Sequence, residues 1–176
     1  MKKLCLNLVL LSVLFMLSGC GANMSYLKDE KPVFNLEEWF VGKFKASGGF
    51  FSRSGDLKRR FTMTLEGRRE GELTLLNEVL TYTDGEVTTR TYKIKKIRDN
   101  FYEATAEGVV GVATIESAGN ALHWKYRLKQ AIGGSDWTLS FDDWMYLVDE
   151  KTMMDRAEVS KFGIRLGEVY LTAIKE

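Results

Sequence analysis

Cysteine is nearly absent from this chain: Cys5 and Cys20 are the only two among 176 residues. Histidine occurs once, as His123, and proline once, as Pro32. With so few thiols and imidazoles, a cysteine zinc site, a His/Cys metal centre and thiol catalysis have no donors to draw on. No Gly-x-Ser-x-Gly elbow accompanies His123, so a serine-type triad has no sequence support. No glycine-rich loop stands between a strand pattern and a helix pattern, which removes the usual phosphate cradle. No cofactor and no metal are therefore expected. Neither sign of charge is in excess, with 25 Lys+Arg against 24 Asp+Glu, so the electrostatic footprint of a nucleic-acid binder is missing. A membrane-spanning run is missing too. The longest apolar stretch, Leu4 to Leu17, is about 14 residues, and a bilayer needs roughly 20.

What that stretch does have is context. Lys2 and Lys3 precede it, and Leu17-Ser18-Gly19-Cys20 follows it. A positive start, an apolar middle and small residues before a cleavage point read as a secretory signal. The cysteine directly after Leu-Ser-Gly resembles a bacterial lipobox, which predicts lipidation of Cys20. Two or three acyl chains on one cysteine give a lasting anchor where one chain would hold only marginally. The predicted organisation is a signal peptide over 1–19, a lipidated N-terminus and tether over 20–34, and one globular domain over 35–176. With Cys5 removed and Cys20 acylated, no intrachain disulfide remains, and the domain must fold on packing alone. The expected address is the bacterial cell envelope. Gly21 after the cysteine is permissive for the outer membrane, with the domain facing the periplasm.

The domain reads as strand and turn. Asn35-Leu36-Glu37-Glu38 predicts an N-cap and one short helical turn through Trp39-Phe40. Beyond it, apolar residues alternate: Phe44, Ala46, Gly48, Phe50; Leu57, Arg59, Phe61, Met63, Leu65; Leu76, Leu80, Tyr82; Leu122, Trp124, Tyr126, Leu128; Leu139, Phe141. His123, Lys125 and Arg127 fall on the opposite face of their strand. Period-two alternation with one polar face is the mark of antiparallel sheet. Turn residues punctuate the runs at Arg53-Ser54-Gly55-Asp56, Glu66-Gly67, Asp84-Gly85, Asp99-Asn100, Gly119-Asn120, Gly133-Gly134 and Asp149-Glu150. A meander of roughly 8–10 hairpin-linked strands removes its edges by closing on itself. The predicted fold is all-β, an antiparallel up-and-down barrel with a short N-terminal helix, with a β-sandwich as the alternative.

Several of these segments resemble one family. Phe40-Val41-Gly42, Gly49-Phe50, Arg53-Ser54-Gly55, Arg60-Phe61, Tyr82-Thr83-Asp84-Gly85, Arg90-Thr91-Tyr92, Gly119-Asn120-Ala121 and Lys161-Phe162-Gly163 are similar to the DUF3833 bacterial lipoproteins. The most specific block is Asp142-Asp143-Trp144-Met145-Tyr146-Leu147. The chain departs from the family pattern at Asp155-Arg156, where that pattern has Asn-Arg. The resemblance spans about residues 36–175. It implies a lipocalin-type (calycin) barrel. Through family members encoded beside enzymes that modify membrane fatty acids, it also implies a lipid-related ligand.

Candidate ligand or polar-cluster residues are Arg53, Arg60, Glu78, Arg90, Asn120, Asp142, Asp143, Trp144, Arg156 and Lys161. Arginine grips carboxylate and phosphate in a bidentate way, but Glu78 and Asp143 are equally good partners for Arg60, Arg90 or Arg156. Neighbours in a strand face opposite ways, so Asp142 and Asp143 cannot act as a simple pair. Alternation puts Asp143 with Leu139 and Phe141. If that face is inward, Asp143 is a buried acid that needs a partner.

The predicted function is non-enzymatic binding of a fatty acid or other amphipathic lipid inside the barrel. One alternative is a filled barrel whose surface docks an envelope protein. A weaker one is an enzyme acting on modified lipids. Interior volume separates the first two, at roughly 300 Å3 for a ligand chamber. The enzyme would need a titratable pair converging in that chamber.

Overall fold

The computed structural model describes residues 24–176. The predicted signal peptide and Cys20 lie outside the described residues. Ten strands run in chain order: β1 (Gly42–Ser52), β2 (Leu57–Glu70), β3 (Leu73–Tyr82), β4 (Val87–Arg98), β5 (Phe101–Thr105), β6 (Ala113–Ala118), β7 (Ala121–Ile132), β8 (Ser135–Leu147), β9 (Thr152–Lys161) and β10 (Ile164–Lys175). Each pairs antiparallel with the next, and β1 closes on β10 through Phe44↔Lys175 to Ser52↔Gly167. The result is the predicted closed up-and-down barrel, and the sandwich alternative is gone. One helical turn, α1 (Leu36–Trp39), precedes it. Its N-cap Asn35 is extended and caps through its backbone carbonyl rather than its side chain.

Sequential pairing gives the barrel two unlike ends. The β1–β2, β3–β4, β7–β8 and β9–β10 hairpins gather at the mouth. The β2–β3, β4–β5, β6–β7 and β8–β9 hairpins share the far end with α1, and the β5–β6 loop lies on the mouth side. There Phe34, Leu36, Trp39, Phe40 and Phe44 are all buried and form a floor. Trp39 packs edge-on against Phe34 at 5.1 Å and Phe40 at 5.2 Å, and tilted on Phe44 at 4.8 Å. Lys175 Nζ donates to the carbonyls of Glu38 (3.3 Å) and Trp39 (2.8 Å), tying the last strand to the end of α1.

The stretch read as a tether is partly packed. Met24–Leu27 forms a 3₁₀ turn, Leu27 and Phe34 are buried, and Phe34 N–H donates to Gly119 C=O at 2.7 Å. Burying two apolar side chains on the floor is worth about 1.5–3 kcal/mol each, enough to hold a polar segment down.

Glu66-Gly67, read as a turn, instead lies inside β2, and the turn comes at Gly71-Glu72. Gly67 has a different job. A Cβ there would sit 1.6 Å from the Phe40 carbonyl oxygen. Glycine is what lets the floor lie directly on the wall. Gly67→Ala is expected to destabilise the fold by about 1–3 kcal/mol, the range for forced overpacking, measured by urea unfolding. Gly71→Ala near the open turn should not share that mechanism, because no atom lies within 4 Å of its added Cβ.

The wall is lowest between β4 and β7. Those strands have 12 residues each, whereas β5 has 5 and β6 has 6. Pairing of β4 with β5 stops at Lys93↔Thr105, and of β6 with β7 at Thr114↔Lys125. The loop 106–112 covers part of the difference by pairing back onto β7, with Val110 N–H on Arg127 C=O and Lys129 N–H on Gly108 C=O.

Candidate functional site: an internal chamber with a buried acid pair

Alternation sends one residue in two to the barrel axis. The inward set is Phe61, Met63 and Leu65 on β2, Leu76, Glu78, Leu80 and Tyr82 on β3, and Arg90 and Tyr92 on β4. It continues with Trp124, Tyr126 and Leu128 on β7, Phe141, Asp143 and Met145 on β8, and Met153, Asp155, Ala157 and Val159 on β9. These side chains do not meet across the axis. They enclose a chamber of about 810 Å3. That exceeds the roughly 300 Å3 lower bound for small-molecule pockets. Charges of both signs stand where the chamber meets solvent, at Lys58, Arg59, Glu86 and Lys129; Arg59 is held by Asp84 and Glu86, and Lys58 by Asp56.

Two polar constellations interrupt the apolar lining. The first is an ion pair in the wall. Glu78 and Arg90 are direct cross-strand partners, with Arg90 Nη1 2.8 Å from Glu78 Oε1. Arg90 Nε also donates to the Glu107 carbonyl at 3.3 Å, which fixes the loop 106–112 over the low wall. Burial pushes the Glu78 carboxyl up, and Arg90 opposes that push.

The second is deeper. Trp124 stands directly opposite Asp143 on the β7–β8 ladder, and Asp155 lies diagonally across β8–β9, where Asp143 faces Ala157 and Met145 faces Asp155. All three are buried. Among the described residues, Trp124 Nε1, Asp143 Oδ1 and Asp155 Oδ1 have no hydrogen-bond partner within the chain. Burial, and then repulsion from Asp155, drives the Asp143 carboxyl well above the usual carboxylate range, against a hydrogen bond from Tyr126. Burial pushes Asp155 up to about 8. Burial therefore favours the neutral form of Asp155 at neutral pH and pushes Asp143 the same way, because two charges are costly in this enclosed space. Burial likewise raises the Tyr92 and Tyr126 phenols, which stay neutral.

The predicted site residues separate by face. Glu78, Arg90 and Asp143 are on the chamber wall. Asp143 takes none of the arginine partners considered for it, since Arg90 pairs with Glu78, and Arg156 pairs with Glu168 on the outside. Asp142 faces out, 2.6 Å from His123 Nε2 and 3.4 Å from Lys125 Nζ. Trp144 faces out as well and stacks on His123 at 4.0 Å. Arg53 and Arg60 are exposed near the mouth. Lys161 lies over the Trp137 ring at 3.4 Å. Asn120 clamps the floor end, its Nδ2 donating to Leu147 C=O at 3.1 Å. The residues that sequence reading did not single out are Asp155, Tyr126 and Trp124. The signal was present in the inward alternation of Met153, Asp155, Ala157 and Val159. Among the described residues, no three of His, Cys, Asp or Glu converge as a metal-ligand set.

A closed sequential barrel with a ligand-sized interior defines the class: a lipocalin-like β-barrel. The sequence model of the family described as Protein of unknown function (DUF3833) matches residues 14–175, and the chain belongs to that family. Among solved structures the chain is similar to the S-type phycobiliprotein lyase CPES from Guillardia theta. The TM-score is 0.57 and the identity 8%, over 79% of this chain and 89% of that one. At that identity the likeness is one of fold. No curated protein matches the chain by sequence.

Proposed function

We propose that this protein is a lipid-anchored lipoprotein of the bacterial cell envelope that binds one fatty acid or similar amphipathic lipid inside its barrel, without turning it over. The observation that carries the reading is the chamber: ligand-sized, lined mostly by apolar side chains, and open at a mouth of mixed charge. An acyl chain buried there leaves water at about 0.8 kcal/mol per methylene. Its carboxylate or phosphate would stay at the mouth beside Lys129, since Arg59 and Lys58 already hold acids. The docking alternative needs a filled barrel, and this interior is not filled.

Anchoring by Cys20 gives the barrel an orientation. Met24 begins the segment packed on the floor, and the four residues from Cys20 reach at most ~14 Å. The floor end is therefore held near the bilayer surface, with the mouth turned away from it. The outer membrane, with the domain in the periplasm, is the proposed location.

Delipidated protein is the material for the test. Palmitate at a hundredfold excess over its Kd should stabilise the fold by about 2.7 kcal/mol. For a domain this size that is roughly 2–4 °C in Tm per kcal/mol. Native mass spectrometry should show one bound chain. No shift and no adduct with palmitate or with a membrane lipid extract would end the proposal.

One feature favours a second reading. The convergence of Asp143 and Asp155 is the titratable pair that an enzyme acting on modified lipids would need. The bound lipid's mass decides between the two: unchanged after long incubation for a binder, altered for an enzyme.

A further inference from the structure

We infer that Trp124, Asp143 and Asp155 form a deep subsite for a hydroxyl group carried far along the acyl chain of the ligand; this rests on the lipid-binding reading above. The chamber's apolar lining would be satisfied by a plain hydrocarbon. These three groups would not. Each is buried, each lines the chamber, and each keeps a polar atom without a partner among the described residues. A terminal methyl placed against them would leave an indole N–H and two carboxyl oxygens dry, which is unfavourable for each unsatisfied group.

The chemistry of the three atoms narrows what fits. Trp124 Nε1 only donates. The carboxyl oxygens accept, and a protonated carboxyl can also donate. A carboxylate or phosphate placed here would face two acids in a dry enclosure. An ammonium would have nothing to offer the indole N–H. A hydroxyl accepts from Trp124 and donates to Asp143 or Asp155, so it satisfies both kinds of group at once.

Depth sets the position of that hydroxyl. Lys129, at the rim, and Trp124 lie on the same strand. Five residues at ~3.3 Å each make ~17 Å along the strand. A barrel tilt of about 35–45° shortens this to ~12–14 Å along the axis. A head group held at the rim therefore places the subsite near the far end of a medium-length chain. A hydroxyl next to the carboxylate would not reach it.

The experiment compares laurate, α-hydroxylaurate and ω-hydroxylaurate on delipidated protein by calorimetry. ω-Hydroxylaurate is expected to bind about tenfold tighter than either of the others, the equivalent of one well-made hydrogen-bond set. Trp124→Phe, and separately the Asp143→Leu/Asp155→Leu double variant, should lose the preference, read within each protein as the ratio of ω-hydroxylaurate to laurate affinity. The wild-type comparison is decisive even if a variant fails to fold. Laurate bound as tightly as ω-hydroxylaurate, or more tightly, overturns the subsite and leaves lipid binding standing. That is also the outcome if ordinary water satisfies the three groups. No binding by any of the three overturns the subsite and the lipid-binding reading together.

Discussion

Raising the pH from 5 to 8 is expected to weaken this fold by at least about 3–4 kcal/mol, and Asp155→Asn is expected to reduce the loss by about that much. Asp155 is raised to about 8 by burial in the folded chain, whereas an unfolded aspartate releases its proton near 3.9. Between those values the folded state holds a proton that the unfolded state does not. The stability of unfolding therefore falls as pH rises through that window. Asp143, raised in the same direction by burial and by Asp155, adds to the slope. So does Glu78, to the extent that Arg90 leaves it raised. The other groups facing the pair, Tyr92 and Tyr126, stay neutral throughout. Carboxylates held low by their partners act elsewhere on the scale. Asp84, held down by Arg59, and Asp149, held down by the backbone of Lys151 and Thr152, contribute stability that is present above pH 4 and lost only below it. Urea unfolding of the wild type, Asp155→Asn and Asp143→Asn at both pH values checks this. A flat wild-type profile, or an asparagine variant with the parent's slope, would show that the pair is ionised or hydrated.

The same pair shows where sequence reading stops. Antiparallel alternation is local, so it was enough to put Asp143 on one face with Leu139 and Phe141, to put Asp142 on the other, and to put His123 on the charged face of its strand; which face of β8 looks inward came only with the barrel. It says nothing about register between strands. Asp155 becomes a partner of Asp143 only because Met145 faces Asp155 on the β8–β9 ladder, and no short-range pattern encodes that. Trp144 sits in the most specific sequence block, yet one residue of phase places it outside, on His123. Hollow and filled barrels draw on the same apolar composition, so the chamber itself was not legible. Gly67 misled for a related reason. A glycine that makes a turn and a glycine that admits a carbonyl where a Cβ would stand look alike in a sequence. Leu27 and Phe34, lying in a polar stretch, carried too little pattern to reveal that they pack on the floor.

The floor is where a single substitution should do the most damage. Trp39→Ala is expected to reduce stability by about 3–5 kcal/mol, the range for deleting a buried aromatic side chain. The side chain is 7% exposed and touches Phe34, Phe40 and Phe44. Its indole N–H donates to the Glu150 carbonyl at 3.2 Å, so the substitution also leaves a β8–β9 turn carbonyl without that donor. α1 is too short to hold itself together, since an isolated helix needs about 12–15 residues even with good formers. Its conformation is a consequence of Trp39 and Leu36 being buried. Losing the indole should therefore release the segment from Met24 to Phe34 as well, seen as faster tryptic cleavage after Lys28; Lys31 precedes Pro32 and is not a tryptic site. Phe162, also aromatic but 91% exposed in the β9–β10 turn, supplies the control: Phe162→Ala should change stability by less than about 0.5 kcal/mol. If Trp39→Ala leaves the urea midpoint and the cleavage rate unchanged, the floor is not what closes this end of the barrel. The orientation proposed for the anchored protein, with its floor toward the bilayer and its mouth away, would then lose its support.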